Sequence, residues 1–340
     1  MVRQSRKGTS PTMADVARLA QVSQQTVSRV LNDYAFIKPD TRERVLKAIA
    51  SLDYRPNMAA RTLATSRSRT IGVVASDYLS FGPASALFGV EQAASEEGYG
   101  VSIVSLRESN RETIAEALAR LVGQSVEGIV MISPQDVSAS AAFLSFDNVP
   151  VVTLSSVDTG EHTSIMYDSV EGSRAATQHL IELGHKWIAH LAGPAGFTVS
   201  ESRIHGWRKA LGAAHLVAAD PFVCDWTAES GYLGGKQVLA DPRFTAAYCA
   251  NDRIAQGLLL ALHEAGRVVP RDFSVVGFDD VPEAAYCIPP LTTMRQDFTK
   301  LGRRCIEALM VRINGEPPQE ADPLLPVLIE RSSTSRAPLP

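Results

Sequence analysis

Apolar residues recur at helical spacing along the first seventy positions, and from Ile71 onward they gather into short runs separated by amphipathic stretches. Val16, Leu19 and Ala20 share one face of a short helix behind a Thr12 N-cap, with Asp15 near the positive end of its dipole. Gln21-Val22 is a tight connection, and Ser23 can cap a second helix from Gln24 to Asn32 whose Val27, Val30 and Leu31 face inward. Gln24, Gln25, Ser28 and Arg29 are then left outward. A third run from Pro39-Asp40 to Leu52 repeats the pattern with Val45, Ile49 and Leu52, completing a helix-turn-helix core. Asn57 caps a further run of helix formers that ends near Thr65. A segment under about 12 residues is not a stable helix alone in water, so this segment needs a partner to fold.

The runs beyond Ile71 include Ile71-Gly72-Val73-Val74, Val101 to Val104, Gly128 to Ile132 and Val149 to Leu154. The alternation restarts near Thr163 and continues through Trp187 to Leu191, Phe222 to Trp226, Ala246 to Ala250 and Phe273 to Phe278. Strands alternating with helices signal a buried parallel sheet, and about ten of them predict an α/β body of two doubly wound lobes. The expected organisation is a helix-turn-helix head over 1–54, a hinge helix and linker over 55–69, and a two-lobed effector domain over 70–340.

Composition narrows the class. With 45% hydrophobic and 21% charged residues the 340-residue chain reads as globular, and no apolar stretch nears the roughly 18 residues of a spanning helix. The four cysteines stand 25, 38 and 18 residues apart without a CxxC pair, which predicts thiols of a reducing cytoplasm rather than a zinc site or disulfide frame. Charge is strongly segregated. Residues 1–69 hold 13 Lys and Arg against 5 Asp and Glu, a balance of +8, whereas 70–340 hold 20 against 32, a balance of −12. A basic head on an acidic body is built to meet a polyanion through the head alone.

The second helix carries chemistry that suits DNA: glutamine pairs bidentately with adenine and arginine with guanine, so Gln24, Gln25 and Arg29 can read base edges in the major groove. Exposed helices often carry the same residues without such a role. In the body, parallel sheets bind ligands at the carboxyl ends of their strands. There the chain places Ser76-Asp77, Ser133-Pro134, Trp226, Asn251-Asp252, Asp279-Asp280 and Gln296-Asp297-Phe298. Carboxylates and amides beside aromatics suit a saccharide, whose hydroxyls need paired donors and acceptors and whose ring face needs an apolar plate. Asn251-Asp252 also reads as a plain helix N-cap. His179, His185 and His190 are off the spacing of helical metal ligands and are expected as surface or interface histidines. No phosphate-binding or nucleophile-elbow motif is found, so neither cofactor, metal nor enzymatic activity is expected.

The string from Thr12 to Asn32, with Asp15-Val16-Ala17 followed by Val22-Ser23-Gln24-Gln25-Thr26-Val27-Ser28-Arg29-Val30-Leu31-Asn32, resembles the reader of the lactose-repressor (LacI-type) family. Tyr54 to Ser68 resembles the hinge of that family, and Ala250-Asn251-Asp252, Val275 to Asp280 and Cys287 to Phe298 resemble its core. The resemblance implies a periplasmic-binding-protein-like body. It implies operator contacts from Thr12, Ser23, Gln24, Gln25, Thr26, Ser28, Arg29 and Asn32, and from Asn57, Ala60 and Leu63 of the hinge, with Leu63 as an apolar wedge in the minor groove of a dimer's double-stranded DNA site. For the effector it implies hydroxyl contacts from Arg203, Asn251 and Asp279, an apolar wall of Tyr167, Trp226 and Phe298, and a cleft lined by Ser76, Pro134 and Gln296. The chain departs from the pattern at Ser155, where an aspartate is expected, and at Ile132, where an asparagine is expected.

The resulting expectation is a cytoplasmic homodimeric repressor released by a galactoside-like sugar, with no membrane partner. The competing classes are a sugar-binding transport component without DNA binding, a regulator for which the sugar is a co-repressor, and a sugar-acting enzyme.

Overall fold

A computed structural model describes residues 11–31, 34, 36–54, 67–76, 80–107, 110–132, 149–154, 163–165, 167–317 and 322–338. The chain divides into two units, Met1–Ser68 and Arg69–Pro340. In the first, helices α1 (Met13–Leu19), α2 (Gln24–Leu31) and α3 (Pro39–Leu52) enclose a small core of Val16, Ala17, Ala20, Val27, Val30, Val45, Ala48 and Tyr54. Thr12 and Asp15 form a reciprocal cap: the Thr12 N–H donates to Asp15 Oδ2 at 3.0 Å, and the Asp15 N–H donates to Thr12 Oγ1 at 3.3 Å. Gln21 turns the chain at φ 53°, and Ser23 Oγ accepts from the Thr26 N–H at 3.1 Å to start α2. One expected core residue is misplaced. Leu19 is 55% exposed, because α1 packs through the face made by Val16, Ala17 and Ala20.

The second unit is built on two parallel sheets with the same winding. Strands β1 (Thr70–Ser76), β2 (Gly100–Leu106), β3 (Gly128–Ile132), β4 (Val151–Leu154) and β5 (Thr163–Ile165) lie in the order β2-β1-β3-β4-β5. Strands β6 (Ile188–Ala192), β7 (Phe222–Val223), β8 (Ala246–Cys249) and β9 (Ser274–Val276) lie in the order β7-β6-β8-β9. Pairing runs Ile71↔Val101 and Ile71↔Gly128 in one sheet and Ile188↔Ala246 in the other, and β1, β3, β6 and β8 are buried almost throughout. Residues screened on both faces explain the uninterrupted apolar runs. Helices α4 (Phe81–Glu96) and α5 (Arg111–Gly123) flank the first sheet. Helices α6 (Ser169–Glu182), α7 (Thr198–Ala213), α8 (Ala228–Leu239) and α9 (Asp252–Glu264) flank the second.

Chain crossings join the lobes. Beyond β5, Tyr167 pairs with Leu324; β10 (Thr293–Arg295) pairs antiparallel with β11 (Val327–Ile329); and after β10 the chain returns so that α10 (Phe298–Ile313) buries Leu301, Cys305, Ile306 and Leu309 in the core of the first lobe. The α4–α10 contact depends on Gly89 and Gly302, since a β-carbon on either would overlap the backbone of the other helix. Two of the histidines expected at the surface are core residues. His185 and His190 are 1% and 0% exposed; His185 bonds Thr245 and Ser274, and His190 stacks on Tyr248 with Nδ1 3.0 Å from its carbonyl oxygen. Burial holds both below the ordinary histidine range, His190 at about 4, so both are neutral.

Candidate functional site

In the first unit, Gln24, Gln25 and Arg29 stand exposed along α2 beside exposed Thr12 and Ser23, with Thr26 and Ser28 half-buried. The face opposite Val27 and Val30 is therefore polar and hydrogen-bonding, as base or phosphate recognition requires. Asn32, Asn57, Ala60 and Leu63 lie outside the described residues.

In the second unit, a cavity of about 170 Å³ opens where strand ends and crossings of both lobes meet. Its wall brings together Tyr167, Arg203, Trp226, Asn251, Asp279, Gln296 and Phe298. Ser76 does not join them. It is buried at the end of β1, and the wall on that side is made by Ser80 to Pro83 at the start of α4. Pro134 and Ser155 lie outside the described residues, and Ile132 contributes an apolar side chain to the wall. Phe81, Ala86, Leu154, Val199 and Leu301, which strand-end reasoning passed over, add to the apolar side.

The polar end is an ionic cluster. The Arg203 guanidinium, projecting from the middle of α7, donates through Nη1 to the carbonyl of Ala250 and lies 3.4 Å from Asp279 Oδ1 through Nη2. Gln296 Nε2 donates to the same Asp279 oxygen at 2.8 Å, and the guanidinium covers the Phe278 ring at 4.0 Å. Arg203 Nε has no partner although it is buried. Burial raises the Asp279 carboxyl above its ordinary range, with Arg203 and Gln296 opposing. Asn251 serves two ends at once: Oδ1 accepts from the Ile254 N–H at 2.8 Å as the cap of α9, and Nδ2 donates to the Trp226 carbonyl at 3.1 Å. The plain helix-cap reading of Asn251 and its place in the wall therefore both hold.

Backbone strain gathers at the same place. Trp226 (φ 73°), Asp279 (φ 103°) and Asp280 (φ 56°) all adopt conformations that cost a non-glycine residue of order 1–3 kcal/mol. Gly193 leaves space for the Trp226 indole. The turn after β9 is held by Asp252, whose carboxylate accepts from the Val281 N–H at 2.8 Å and from Thr293 Oγ1 at 2.5 Å. Asp280 points elsewhere, to Arg295 and Arg331 at 2.6 Å each, and so ties that turn to the crossing strands. Phe298 meets Phe81 and Tyr167 edge-on at centroid distances of 5.9 and 6.0 Å. The cavity wall thus combines hydrogen-bonding groups around Asp279 with aromatic rings that include Trp226 and Phe298. Among the described residues no cluster of three His, Cys, Asp or Glu side chains is arranged for a metal ion, and no helix is long and apolar enough to cross a membrane.

Residues 12–57 match the family described as bacterial regulatory proteins, lacI family, and residues 177–334 match the periplasmic binding protein-like domain. The chain is 36% identical over 329 residues to the lactose operon repressor of Escherichia coli (strain K12), covering 96% of this chain and 91% of that protein. It is 32% identical over 323 residues to the HTH-type transcriptional repressor PurR of Glaesserella parasuis serovar 5 (strain SH0165), covering 94% and 95%. Among solved structures, a Lac repressor dimer bound to operator and the anti-inducer ONPF aligns with a TM-score of 0.88 at 34% identity, covering 96% of this chain and all of that one. A complex of the transcriptional regulator CelR with cellobiose aligns with a TM-score of 0.70 at 32% identity, covering 95% and 99%.

Proposed function

The chain belongs to the LacI family of bacterial regulatory proteins, and from that premise we propose that it is a cytoplasmic, dimeric transcriptional repressor that leaves its operator when a small galactoside-like saccharide fills the cavity. Its relatives are repressors rather than enzymes. The head, residues 1–54, reads a pseudo-palindromic DNA site through α2; the hinge, residues 55–69, folds against the minor groove; and residues 70–340 hold the sugar and the dimer contact. The similarity to a repressor dimer solved on operator DNA supports the DNA partner and the dimer.

The observation that carries the saccharide is the wall of hydrogen-bonding and aromatic side chains. Asp279, Asn251 and Arg203 offer acceptors and donors to vicinal hydroxyls, while Trp226, Tyr167 and Phe298 offer a plate for the apolar face of a pyranose or an aglycone. A purine is the second reading, favoured by the PurR relatives and by an aromatic trio able to stack a base. Calorimetric titration against galactosides, glucosides and purine bases separates the two: a galactoside should bind with a defined stoichiometry of one per chain. Binding of a purine base without any sugar would replace the proposal. A gel shift with the ligand found distinguishes release from co-repression.

A further inference from the structure

We propose that Tyr34 positions the base-reading arginine: its ring holds the Arg29 guanidinium by the face, leaving the N–H edge presented to a guanine in the major groove. The proposal rests on the reading of α2 as the DNA-recognition helix. Arg29 occupies the last turn of α2, and its Cζ lies 5.4 Å from the centroid of the Tyr34 ring, inside the roughly 6 Å reach of a cation–π contact. The backbone closes the same unit, since the Tyr34 N–H donates to the Arg29 carbonyl at 3.0 Å. Arg42 of α3 donates through Nη2 to the Tyr34 carbonyl at 3.1 Å, and Phe36 meets the Tyr34 ring edge-on at 5.8 Å and 64°. The Tyr34 backbone is therefore held at both its N–H and its carbonyl, and its ring is met by a second aromatic, even though Tyr34 is 48% and Phe36 86% exposed.

That arrangement gives two large exposed aromatics a purpose beyond the core, which Val16, Val27 and Val45 already fill. A guanidinium has two independent recognition surfaces. Its planar face attracts an aromatic ring, and its in-plane fork of N–H groups pairs with guanine O6 and N7. Holding the face leaves the fork available and removes rotamers that a free arginine would have to lose on docking. Tyr34 then acts through Arg29 and needs no contact with DNA itself.

The full-length protein is used to select its preferred duplex from a randomised library, and affinity is measured by fluorescence anisotropy for that duplex and for versions with A·T replacing each G·C pair. Arg29→Ala should abolish discrimination at one such pair. Tyr34→Ala should weaken binding to the preferred duplex by about 2- to 5-fold and reduce discrimination at that same pair by the same factor. The dependence on salt should not change, because no phosphate contact is removed. Tyr34→Phe should restore the wild-type values, and in an Arg29→Ala background Tyr34→Ala should have no further effect. If Arg29→Ala keeps full selectivity, the assignment of Arg29 to base readout falls. If Arg29→Ala loses selectivity while Tyr34→Ala is neutral, or costs as much in the Arg29→Ala background, the positioning role is overturned.

Discussion

Replacing Asp279 by asparagine removes one charge from the cavity while preserving shape, and the structure allows the cost to be worked out. Arg203 and Gln296 both bond to Asp279 Oδ1, leaving Oδ2 as the remaining acceptor for a ligand hydroxyl. Asparagine has one oxygen. If it faces Arg203 and Gln296, the ligand meets an amide donor; if it faces the ligand, an N–H group faces two other donors. Arg203 and Asp279 side chains are only 6% and 10% exposed, and two unit charges 3.4 Å apart attract by about 5 kcal/mol at an effective dielectric constant near 20. Most of that offsets desolvation. The part available to a bound sugar is one charge-assisted hydrogen bond plus the penalty for an unpaired group, about 2–4 kcal/mol, or about 30- to 1,000-fold in Kd. The assay is calorimetric titration of Asp279→Asn with the saccharide that binds the wild-type protein, with thermal melting to establish folding and a gel shift to establish operator binding without sugar. A folded variant whose Kd stays within 3-fold of wild type would refute the placement of the sugar hydroxyl at Asp279.

Linkage makes a second expectation: if the sugar weakens operator binding by a given factor, saturating operator must weaken sugar binding by that factor, typically about 5- to 150-fold, and equal sugar affinities with and without operator would remove the induction mechanism. Stability should depend on pH on both sides of neutrality. His190 is held at about 4, so its contribution is present above its unfolded value near 6.5 and is lost as pH falls toward 4. Burial and the neighbouring Asp279 push Asp252 up to about 8, so its contribution is complete below about 4 and is lost as pH rises to 8. Between pH 6.5 and 8 stability should therefore fall with a slope of at most about 1.4 kcal/mol per pH unit from this group, and Asp252→Asn should flatten that slope in urea titrations. Gly302→Leu should force α4 and α10 apart and lower stability by about 3 kcal/mol or more, seen as a drop in the urea midpoint, with the head's operator contacts as a control measured at low temperature.

The winding of the body was legible because a strand buried on both faces must be apolar throughout, so β1, β3, β6 and β8 announce themselves as runs. The apolar run that predicts a strand over Phe222 to Trp226 is longer than β7, which spans Phe222–Val223, with a last backbone bond to β6 from the Cys224 N–H to the Ala192 carbonyl and a turn at Trp226 with φ 73°. Trp226, Asn251 and Asp279 were legible for a related reason, since a parallel sheet delivers its strand ends to one edge, whereas Gln296 and Phe298 follow β10, which pairs antiparallel with β11 outside both parallel sheets. Arg203 and Tyr167 carry no such signal, and only resemblance pointed to them: Arg203 sits in mid-helix and reaches the cavity through its length.

What the chain by itself determined is therefore what local rules govern: caps at Thr12, Ser23 and Asn251, the 3.6- and 2-residue periods, and the order of strands and helices. Which of several compatible faces is covered is set by packing between distant segments. Ala17 and Leu19 flank Val16 and Ala20 on the two sides of α1, and the neighbouring helices cover Ala17 and leave Leu19 in solvent. His185 and His190 read as surface residues until Thr245, Ser274 and Tyr248, 58 to 89 residues away along the chain, supply their hydrogen bonds. Likewise Asp279 and Asp280 are adjacent in sequence, yet one joins Arg203 and Gln296 at the cavity and the other joins Arg295 and Arg331 on the crossings. The energy of a buried polar group is set by partners that arrive from distant segments, and no local pattern encodes their arrival.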